Sequence, residues 1–291
     1  MARIDRWMPV AFYTSSNGRA YFGNLQRCSY GRLCPVCAPR ITHNRAKEVE
    51  KLGRAVEERG GIIYTVVLTV QHTPQDVLAV MLQKIRAAVK ALGSGRNALS
   101  KSVPGWLGAC RHLGVTHSEW GWNPHWHCLF FLDKPWDGLP DLVQKRWLEV
   151  CAAVGLIAGK SGVFVELVED VGKAAWYLQQ HDESEEEQGK SLTPWQLLER
   201  SASGEAEATA LWREYAVALH GQRVFEGAST LRKRLGLSKE KTDAQLNATR
   251  PVQGEPTQIF DEWAWRDIAM NRQQANVLAT FTRKAGFAQQ K

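Results

Sequence analysis

The sequence predicts an α+β protein in which helices flank a central antiparallel sheet. Residues 62–70, IIYTVVLTV, form a run of β-branched residues that is typical of a buried strand. Residues 113–119 and 125–132 lie on either side of the turn WGWNP, and this arrangement predicts a β-hairpin. Apolar residues recur at one-turn spacing in the segments between the strands, which predicts amphipathic helices there.

Helix starts are marked by capping residues. Thr73 is expected to cap a helix that begins at Pro74 and ends near Leu92, because a Ser or Thr followed by proline marks a helix start. Asp170 is expected to cap a second helix, at 170–181. The other predicted elements are a helix at 140–154, a strand at 162–168, and helical segments from Thr193, at 205–220, at 230–237 and at about 255–287.

Positive charge is concentrated at the start of the chain. The 291 residues carry a formal net charge of +7, and residues 1–54 contain ten Lys or Arg but only three acids. This distribution suits a polyanionic partner. The candidates for phosphate contacts in this segment are Arg32, Arg40, Arg45 and Lys47.

No segment has the length and composition of a membrane helix or an export signal. The longest apolar stretch, at 61–70, is shorter than the roughly 20 residues that a membrane helix needs. The first residues lack the long apolar core of a signal peptide. We therefore expect a cytoplasmic protein without membrane contact.

The patterns divide the chain into three predicted regions. A basic module with cysteines spans 1–54, the sheet domain spans 55–181, and a helical C-terminal region spans 190–291. The second boundary coincides with DESEEE at 182–187, where five carboxylates in six residues indicate a surface loop.

Two histidines begin the second strand of the predicted hairpin, in the segment NPHWHCLFFL at 123–132. Alternate residues of a strand point to the same face, so His125 and His127 direct their imidazoles into one space while Trp126 packs on the other side. This geometry suits two ligands of one divalent ion. Imidazoles that merely form hydrogen bonds on a sheet surface are the alternative explanation of the spacing.

Three cysteines lie within ten residues of one another, in the segment CSYGRLCPVC. Cys34 and Cys37 have the spacing that places two thiolates on a tetrahedral zinc ion, and Cys28 offers a third. A structural zinc site is therefore predicted, with a metal-free cluster as the alternative. A closed site needs a fourth ligand, for which the first choice is His43 and the alternatives are Cys110 and His112.

Three segments follow one another in the order found in a known family. TVVLTVQH at 65–72, GWNPHWHCLFFL at 121–132 and KAAWYLQQ at 173–180 resemble the three motifs of the HUH endonucleases, specifically the rolling-circle plasmid replication initiators. The resemblance covers most of the chain, because the segment after residue 191 is also similar to the region that follows the nuclease domain in bacterial initiators. Two positions depart from the family pattern: Gln180 stands in place of a lysine, and Gly114 in place of an acid.

The resemblance implies an HUH nuclease fold and a metal-dependent nuclease with a tyrosine nucleophile. It assigns Tyr177 as the nucleophile, and His125 and His127 as ligands of Mg²⁺ or Mn²⁺. Lys173, one turn before Tyr177, is a candidate to favour the phenolate or to contact DNA. The third metal ligand is expected to be His181, with Gln180, His117, Glu119 and His72 as alternatives. The other interpretation of His181 is that it is a cation that caps the C-terminal end of the helix.

The implied function is that of a replication initiator, which nicks and rejoins single-stranded DNA at an origin through a 5′-phosphotyrosine intermediate. Its expected partners are a single-stranded or hairpin origin and the helicase and polymerase of the host. A transposase or relaxase of the same superfamily would apply the same chemistry to other DNA. A zinc-containing DNA-binding regulator with an inactive nuclease site is the alternative from another class, and the departures at Gln180 and Gly114 keep it open.

Overall fold

The computed structural model describes residues 8–14, 20–25, 27–35, 37–179, 191–248 and 256–270. The chain forms two compact units, of which one combines residues 1–29 with 247–291 and the other spans residues 30–246. Within the described residues, no helix is both long enough and apolar enough to cross a bilayer.

Strands and helices alternate along the described chain. The strands are β1 (Val10–Thr14), β2 (Ala20–Gly23), β3 (Ile62–Leu68), β4 (Trp106–Ser118), β5 (Gly121–Leu132), β6 (Val163–Leu167), β7 (Phe225–Glu226) and β8 (Gln258–Phe260). The helices are α1 (Ala38–Glu57), α2 (Leu78–Leu92), α3 (Leu99–Ser102), α4 (Leu139–Ala153), α5 (Val171–Tyr177), α6 (Pro194–Ala202), α7 (Ala206–Leu219), α8 (Ser229–Arg234), α9 (Asp243–Asn247) and α10 (Glu262–Met270).

A five-stranded antiparallel sheet forms the centre of the larger unit, with the strand order β6-β3-β5-β4-β7. β4 and β5 form the long hairpin that the sequence predicts. β3 pairs with the other edge of β5, and β6 pairs in turn with β3. The predicted fold class is confirmed: the protein is α+β, with helices flanking antiparallel sheets.

The two faces of this sheet pack against different helices. Trp126, Cys128 and Phe130 of β5 lie in a core that also contains apolar residues of α2 and α4. Leu129 and Phe131 alternate with them and lie in a second core with residues of α1 and α5. The alternation follows from the pleat of the strand. Positions 125 and 127 therefore belong to the face of the sheet that carries α5.

The smaller unit contains a separate three-stranded antiparallel sheet, in the order β2-β1-β8. Phe12 and Phe22 pack edge to face with ring centroids 5.4 Å apart, and Trp265 of α10 lies in the same cluster. The prediction of helices at about 255–287 is confirmed for α10 and wrong for β8, while residues 271–291 lie outside the described residues. A three-residue strand is too short to show an alternating pattern, and its pairing with β1 depends on residues far away in the chain.

Two predicted helix boundaries differ from the structure. α2 begins at Leu78 rather than at Pro74, because the Asp76 carboxylate accepts hydrogen bonds from the Thr73 backbone N–H at 2.7 Å and from its hydroxyl at 3.0 Å, which closes a turn instead. α5 ends at Tyr177, so this tyrosine is the last helical residue. Asp170 caps α5 as predicted, with its side chain accepting from two backbone N–H groups of the first turn.

Candidate active site and cysteine cluster

His125 and His127 lie side by side on one face of β5, with their ring centroids 4.8 Å apart. Both side chains are buried. Trp126, between them, is fully buried in the core on the opposite face of the sheet. Close packing around that large ring holds the strand in place, so the two imidazoles stay directed towards the same space.

The backbone fixes the tautomer of His125. Its Nδ1 atom lies 2.9 Å from the carbonyl oxygen of Asn123. A carbonyl can only accept, so Nδ1 carries the proton and Nε2 retains its lone pair. Burial lowers the pKa of His125 to about 4, which keeps the ring neutral near pH 7. A neutral imidazole held by a carbonyl at one nitrogen is the form in which histidine binds metal ions.

A glycine on the neighbouring strand makes room for His125. Gly114 of β4 is its partner in the register of the hairpin. A Cβ atom at position 114 would lie 2.4 Å from the Nε2 atom of His125, which is well inside van der Waals contact. An acidic side chain at position 114 would therefore need volume that the imidazole of His125 occupies.

Tyr177 lies beside this pair at the C-terminal end of α5. The ring centroids of Tyr177 and His127 are 5.5 Å apart, and the ring planes are perpendicular. Val171, Ala175 and Leu178 anchor the helix in the core below the sheet. Tyr177 itself is 45% exposed, so a ligand can approach this residue from solvent.

A third histidine, His112 of β4, connects the site to Arg32 and to α5. It is buried, and it pairs with His127 across the hairpin. Its Nδ1 atom accepts a hydrogen bond of 3.0 Å from the Arg32 guanidinium, and the ring also forms a hydrogen bond with the backbone of Leu178. Burial, with the charge of Arg32 as a smaller cause, holds the pKa of His112 well below its usual range. His112 therefore fixes the end of the helix that carries Tyr177.

The candidates for a third metal ligand have different positions. His117 lies on the opposite face of the hairpin, where its ring packs edge-on against Trp122 with centroids 4.8 Å apart. His72 is near enough to contribute to lowering the pKa of His125. Glu119 is exposed in the turn of the hairpin. His181 and Gln180 lie outside the described residues.

The sulfur atoms of Cys28, Cys34 and Cys37 lie within 4.8 Å of one another. Four sulfurs around a zinc ion, with bonds of about 2.3 Å, stand roughly 3.8 Å apart, so small shifts would complete the geometry. The cluster is consistent with a zinc module. Within the described part of the chain, the candidate metal-binding group consists of these three cysteines.

The candidates for the fourth zinc ligand have different surroundings. The ring of His43 packs edge-on against Trp176, with centroids 5.7 Å apart. His112 accepts a hydrogen bond from Arg32. Cys110 is buried in β4, and burial raises the pKa of its thiol to about 12.

The predicted phosphate-binding cations also differ in their surroundings. Arg45 is only 4% exposed, its guanidinium lies 2.9 Å from a carboxylate oxygen of Asp243, and it covers the ring of Phe225. Its charge is therefore satisfied inside the protein and is not available to DNA. Lys47 and Lys173 are exposed, and Arg40 is partly exposed, so these three remain candidates.

Comparison with known proteins gives one informative match. A protein of Streptomyces lividans named "Protein rep" is 24% identical over 321 aligned positions, which cover 83% of this chain and 70% of the relative. The chain is similar to a Rep protein. No family model matches the sequence, and no solved structure matches it.

Zinc content tests the cysteine cluster. We expect about one zinc ion per chain in the purified protein, and close to none after Cys34→Ser, because two thiolates and one hydroxyl bind zinc far more weakly than three thiolates. Metal analysis by mass spectrometry measures the ratio. Cys151→Ala is the control, since Cys151 is buried in α4 and does not belong to the cluster. Unchanged zinc in Cys34→Ser would contradict the assignment.

The buried histidines predict a dependence of stability on pH. His112 and His125 have lowered pKa values in the folded protein, so the unfolded chain binds protons that the folded chain does not. We expect the free energy of unfolding to fall as the pH drops from about 6.5 towards 4, by up to roughly 1.4 kcal/mol per pH unit for each histidine. Urea unfolding at pH 7, 6 and 5 measures this slope. His112→Gln should reduce the dependence of the free energy of unfolding on pH. His220→Gln, at an exposed position, is the control and should leave this dependence unchanged. Equal slopes for His112→Gln and the wild type would contradict the explanation.

Proposed function

We propose that this protein is a replication initiator that cleaves and rejoins one strand of DNA at an origin through a covalent bond to Tyr177. One observation carries the proposal: the phenol ring of Tyr177 lies 5.5 Å from the imidazole of His127, which stands next to His125 on the same face of the sheet. The similarity to the Streptomyces protein named Rep supports a role in replication. The order of the three motifs supports the nuclease chemistry.

His125 and His127 would hold Mg²⁺ or Mn²⁺. The residues fit such an ion, because their rings lie 4.8 Å apart and His125 keeps the lone pair of Nε2. The bound ion would supply positive charge that polarises the scissile phosphate. Hard cations prefer oxygen ligands, so positions not filled by the protein suit phosphate oxygens and water.

Tyr177 would act as the nucleophile. Its oxygen attacks phosphorus, the bond between phosphorus and the 3′ oxygen breaks, and the 5′ phosphate remains on the tyrosine. The phenol loses its proton to solvent, which reaches the 45% exposed side chain, and the departing 3′ oxygen gains a proton. Lys173 is exposed one turn earlier on α5, where its charge would favour the phenolate. The reverse reaction rejoins the strand.

The substrate would be an origin exposed as a single strand or a hairpin. Lys47, an exposed cation in the middle of α1, would contribute phosphate contacts that weaken as salt concentration rises. The free 3′ hydroxyl would serve a host polymerase, and a host helicase would separate the strands. A transposase or relaxase would use the same groups, so the sequence that is cleaved distinguishes these functions.

A covalent-adduct assay tests the proposal. The protein is incubated with single-stranded oligonucleotides that tile the DNA flanking its gene, with Mg²⁺ or Mn²⁺, and then separated under denaturing conditions. We expect one oligonucleotide to yield a protein–DNA adduct, and mass spectrometry of its peptides to locate the DNA on Tyr177. Absence of any adduct with either ion, or attachment at another residue, would contradict the proposal.

A further inference from the structure

Arg32 lies in the middle of a backbone turn that leads into α1. The backbone N–H of Cys34 donates to the carbonyl oxygen of Tyr30 at 3.1 Å, which closes the turn around Arg32. The carbonyl oxygen of Cys34 accepts a hydrogen bond of 2.9 Å from the N–H of Ala38, the first residue of α1. The turn is therefore attached to a 20-residue helix, and the backbone at Arg32 has a fixed position.

The side chain of Arg32 is directed towards the five-stranded sheet. Its Nη2 atom donates to the Nδ1 atom of His112 at 3.0 Å and to the carbonyl oxygen of Leu113 at 3.2 Å. Both acceptors belong to β4, which pairs with β5, the strand of His125 and His127. The sequence predicts a phosphate contact for Arg32, whereas these hydrogen bonds give its guanidinium a role inside the protein.

Arg32 determines which nitrogen of His112 carries the proton. A guanidinium can only donate, so the Nδ1 atom of His112 accepts and carries no proton. The ring is therefore neutral, and its single N–H is at Nε2. This N–H is the donor for the hydrogen bond between the ring and the backbone of Leu178. The contact with Leu178 thus requires the tautomer that Arg32 selects.

Leu178 connects this hydrogen bond to Tyr177. Tyr177 is the last residue of α5, and Leu178 follows it as the C-cap. The side chain of Leu178 is buried in the core on this face of the sheet. A carbonyl at the end of a helix lacks a partner within the helix, and the imidazole of His112 supplies one. The position of Tyr177 beside His127 therefore depends on the ring of His112.

We propose that Arg32 is a positioning residue for the nuclease reaction. It fixes the tautomer of His112, His112 holds the end of α5, and the end of α5 keeps Tyr177 next to the histidine pair. The inference rests on the proposed function, because the placement of Tyr177 affects the reaction only if Tyr177 attacks the DNA. Arg32 acts through His112 and has no contact with the scissile phosphate.

Nuclear magnetic resonance of the imidazole nitrogens tests the first step without DNA. The histidines of the full chain are labelled with a nitrogen isotope, and the signals of His112 are identified by their absence in His112→Gln. We expect the proton on Nε2 in the wild type. In Arg32→Met, which keeps a long apolar side chain and removes the donor, part or all of the proton should move to Nδ1. A proton on Nδ1 in the wild type, or an unchanged tautomer in Arg32→Met, would overturn the inference.

Cleavage and binding of the oligonucleotide that forms the covalent adduct test the second step. In Arg32→Met we expect the rate of cleavage at saturating oligonucleotide to fall by about 10- to 100-fold, the usual effect of misplacing a reacting group by about 1 Å. The dissociation constant of the oligonucleotide should be unchanged. A phosphate contact of Arg32 would have the opposite effect, with weaker, more salt-sensitive binding and an unchanged rate at saturation. That result would overturn the inference.

Arg111→Met is the matched control. Arg111 precedes His112 in β4 and, like Arg32, is partly exposed. Its Nε atom donates to the Glu226 carboxylate at 2.8 Å, and its guanidinium lies over Trp126, on the face of the sheet opposite to the histidine pair. The variant should therefore cleave at the rate of the wild type. Thermal unfolding measures the stability of both variants, and equal losses of cleavage in the two would overturn the inference.

A double variant shows whether Arg32 acts through His112. His112→Gln and Arg32→Met interrupt the same contact with Leu178, so their effects should not add. We expect the double variant to cleave at about the rate of the slower single variant. If the two losses multiply instead, the residues act separately and the inference is wrong.

The outcome for Arg32 can be distinguished from the outcome for the chemistry. If the wild type forms the Tyr177 adduct and Arg32→Met cleaves at the same rate, the positioning role is wrong and the proposed function stands. If no oligonucleotide yields an adduct while the tautomer of His112 changes in Arg32→Met, the proposed function fails. The assignment of Arg32 as the residue that sets the tautomer of His112 then stands without the reaction.

Discussion

Tyr177→Phe is expected to abolish the covalent protein–DNA adduct and to slow strand cleavage by about a thousandfold or more. The substitution removes a single oxygen atom, the one that would form the bond to phosphorus. The ring that packs 5.5 Å from His127 remains, so the fold and the surface of the site should be preserved. Cleavage is measured with labelled oligonucleotides, and binding of the same oligonucleotides is measured in parallel.

Tyr30→Phe is the matched control for this experiment. Tyr30 is 46% exposed and Tyr177 is 45% exposed, so the two substitutions are made at similarly exposed tyrosines. The Tyr30 ring packs near His220, with centroids 5.6 Å apart, and it has no place in the proposed reaction. We expect this variant to cleave at the rate of the wild type. Equal cleavage by Tyr177→Phe and the wild type would show that another group attacks the phosphate.

His127→Ala is expected to reduce metal-dependent cleavage by about a hundredfold or more, with DNA binding largely retained. The reason is that the remaining imidazole, His125, would hold a divalent ion only weakly, and the positive charge at the phosphate would be lost. Raising the Mn²⁺ concentration should restore part of the rate, which a merely structural role of His127 would not allow. Circular dichroism and thermal unfolding establish that the variant is folded.

His117→Ala provides the comparison for this result. The two histidines belong to the same hairpin, but His117 lies on the opposite face, against Trp122. Its removal should leave the dependence of cleavage on Mn²⁺ unchanged. If both variants lost activity to the same extent, or if His127→Ala kept full activity at low Mn²⁺, the assignment of the metal site would be wrong.

The features that the sequence predicts correctly are those set by local spacing. The convergence of His125 and His127 follows from the two-residue period of a strand, and the cap of α5 follows from Asp170 and the backbone beside it. The cysteine cluster likewise lies within ten residues. Each of these predictions needs only the residue types and the geometry of one element.

The features that the sequence does not reveal depend on long-range pairing. His112 stands beside His127 because of the register between β4 and β5, and Arg32 reaches it from 80 residues earlier. Arg45 belongs to a basic segment, yet it is buried by an ion pair with Asp243, 198 residues later. Charge counted along the chain therefore identifies a basic region but not which of its cations reach the surface. The role of Gly114 is equally hidden until the ring of His125 is seen above it.

The contact between Gly114 and His125 limits how this site can be redesigned. An engineer who placed an aspartate at position 114 to tighten cation binding would push the imidazole aside, because both groups need the same few cubic ångströms. One ligand would be gained and another lost. In the proposed reaction, a cation held by few protein atoms would need oxygen atoms of the incoming DNA strand to complete its coordination shell. Ion and DNA would then bind cooperatively, and titration of the cation alone would underestimate its occupancy during turnover.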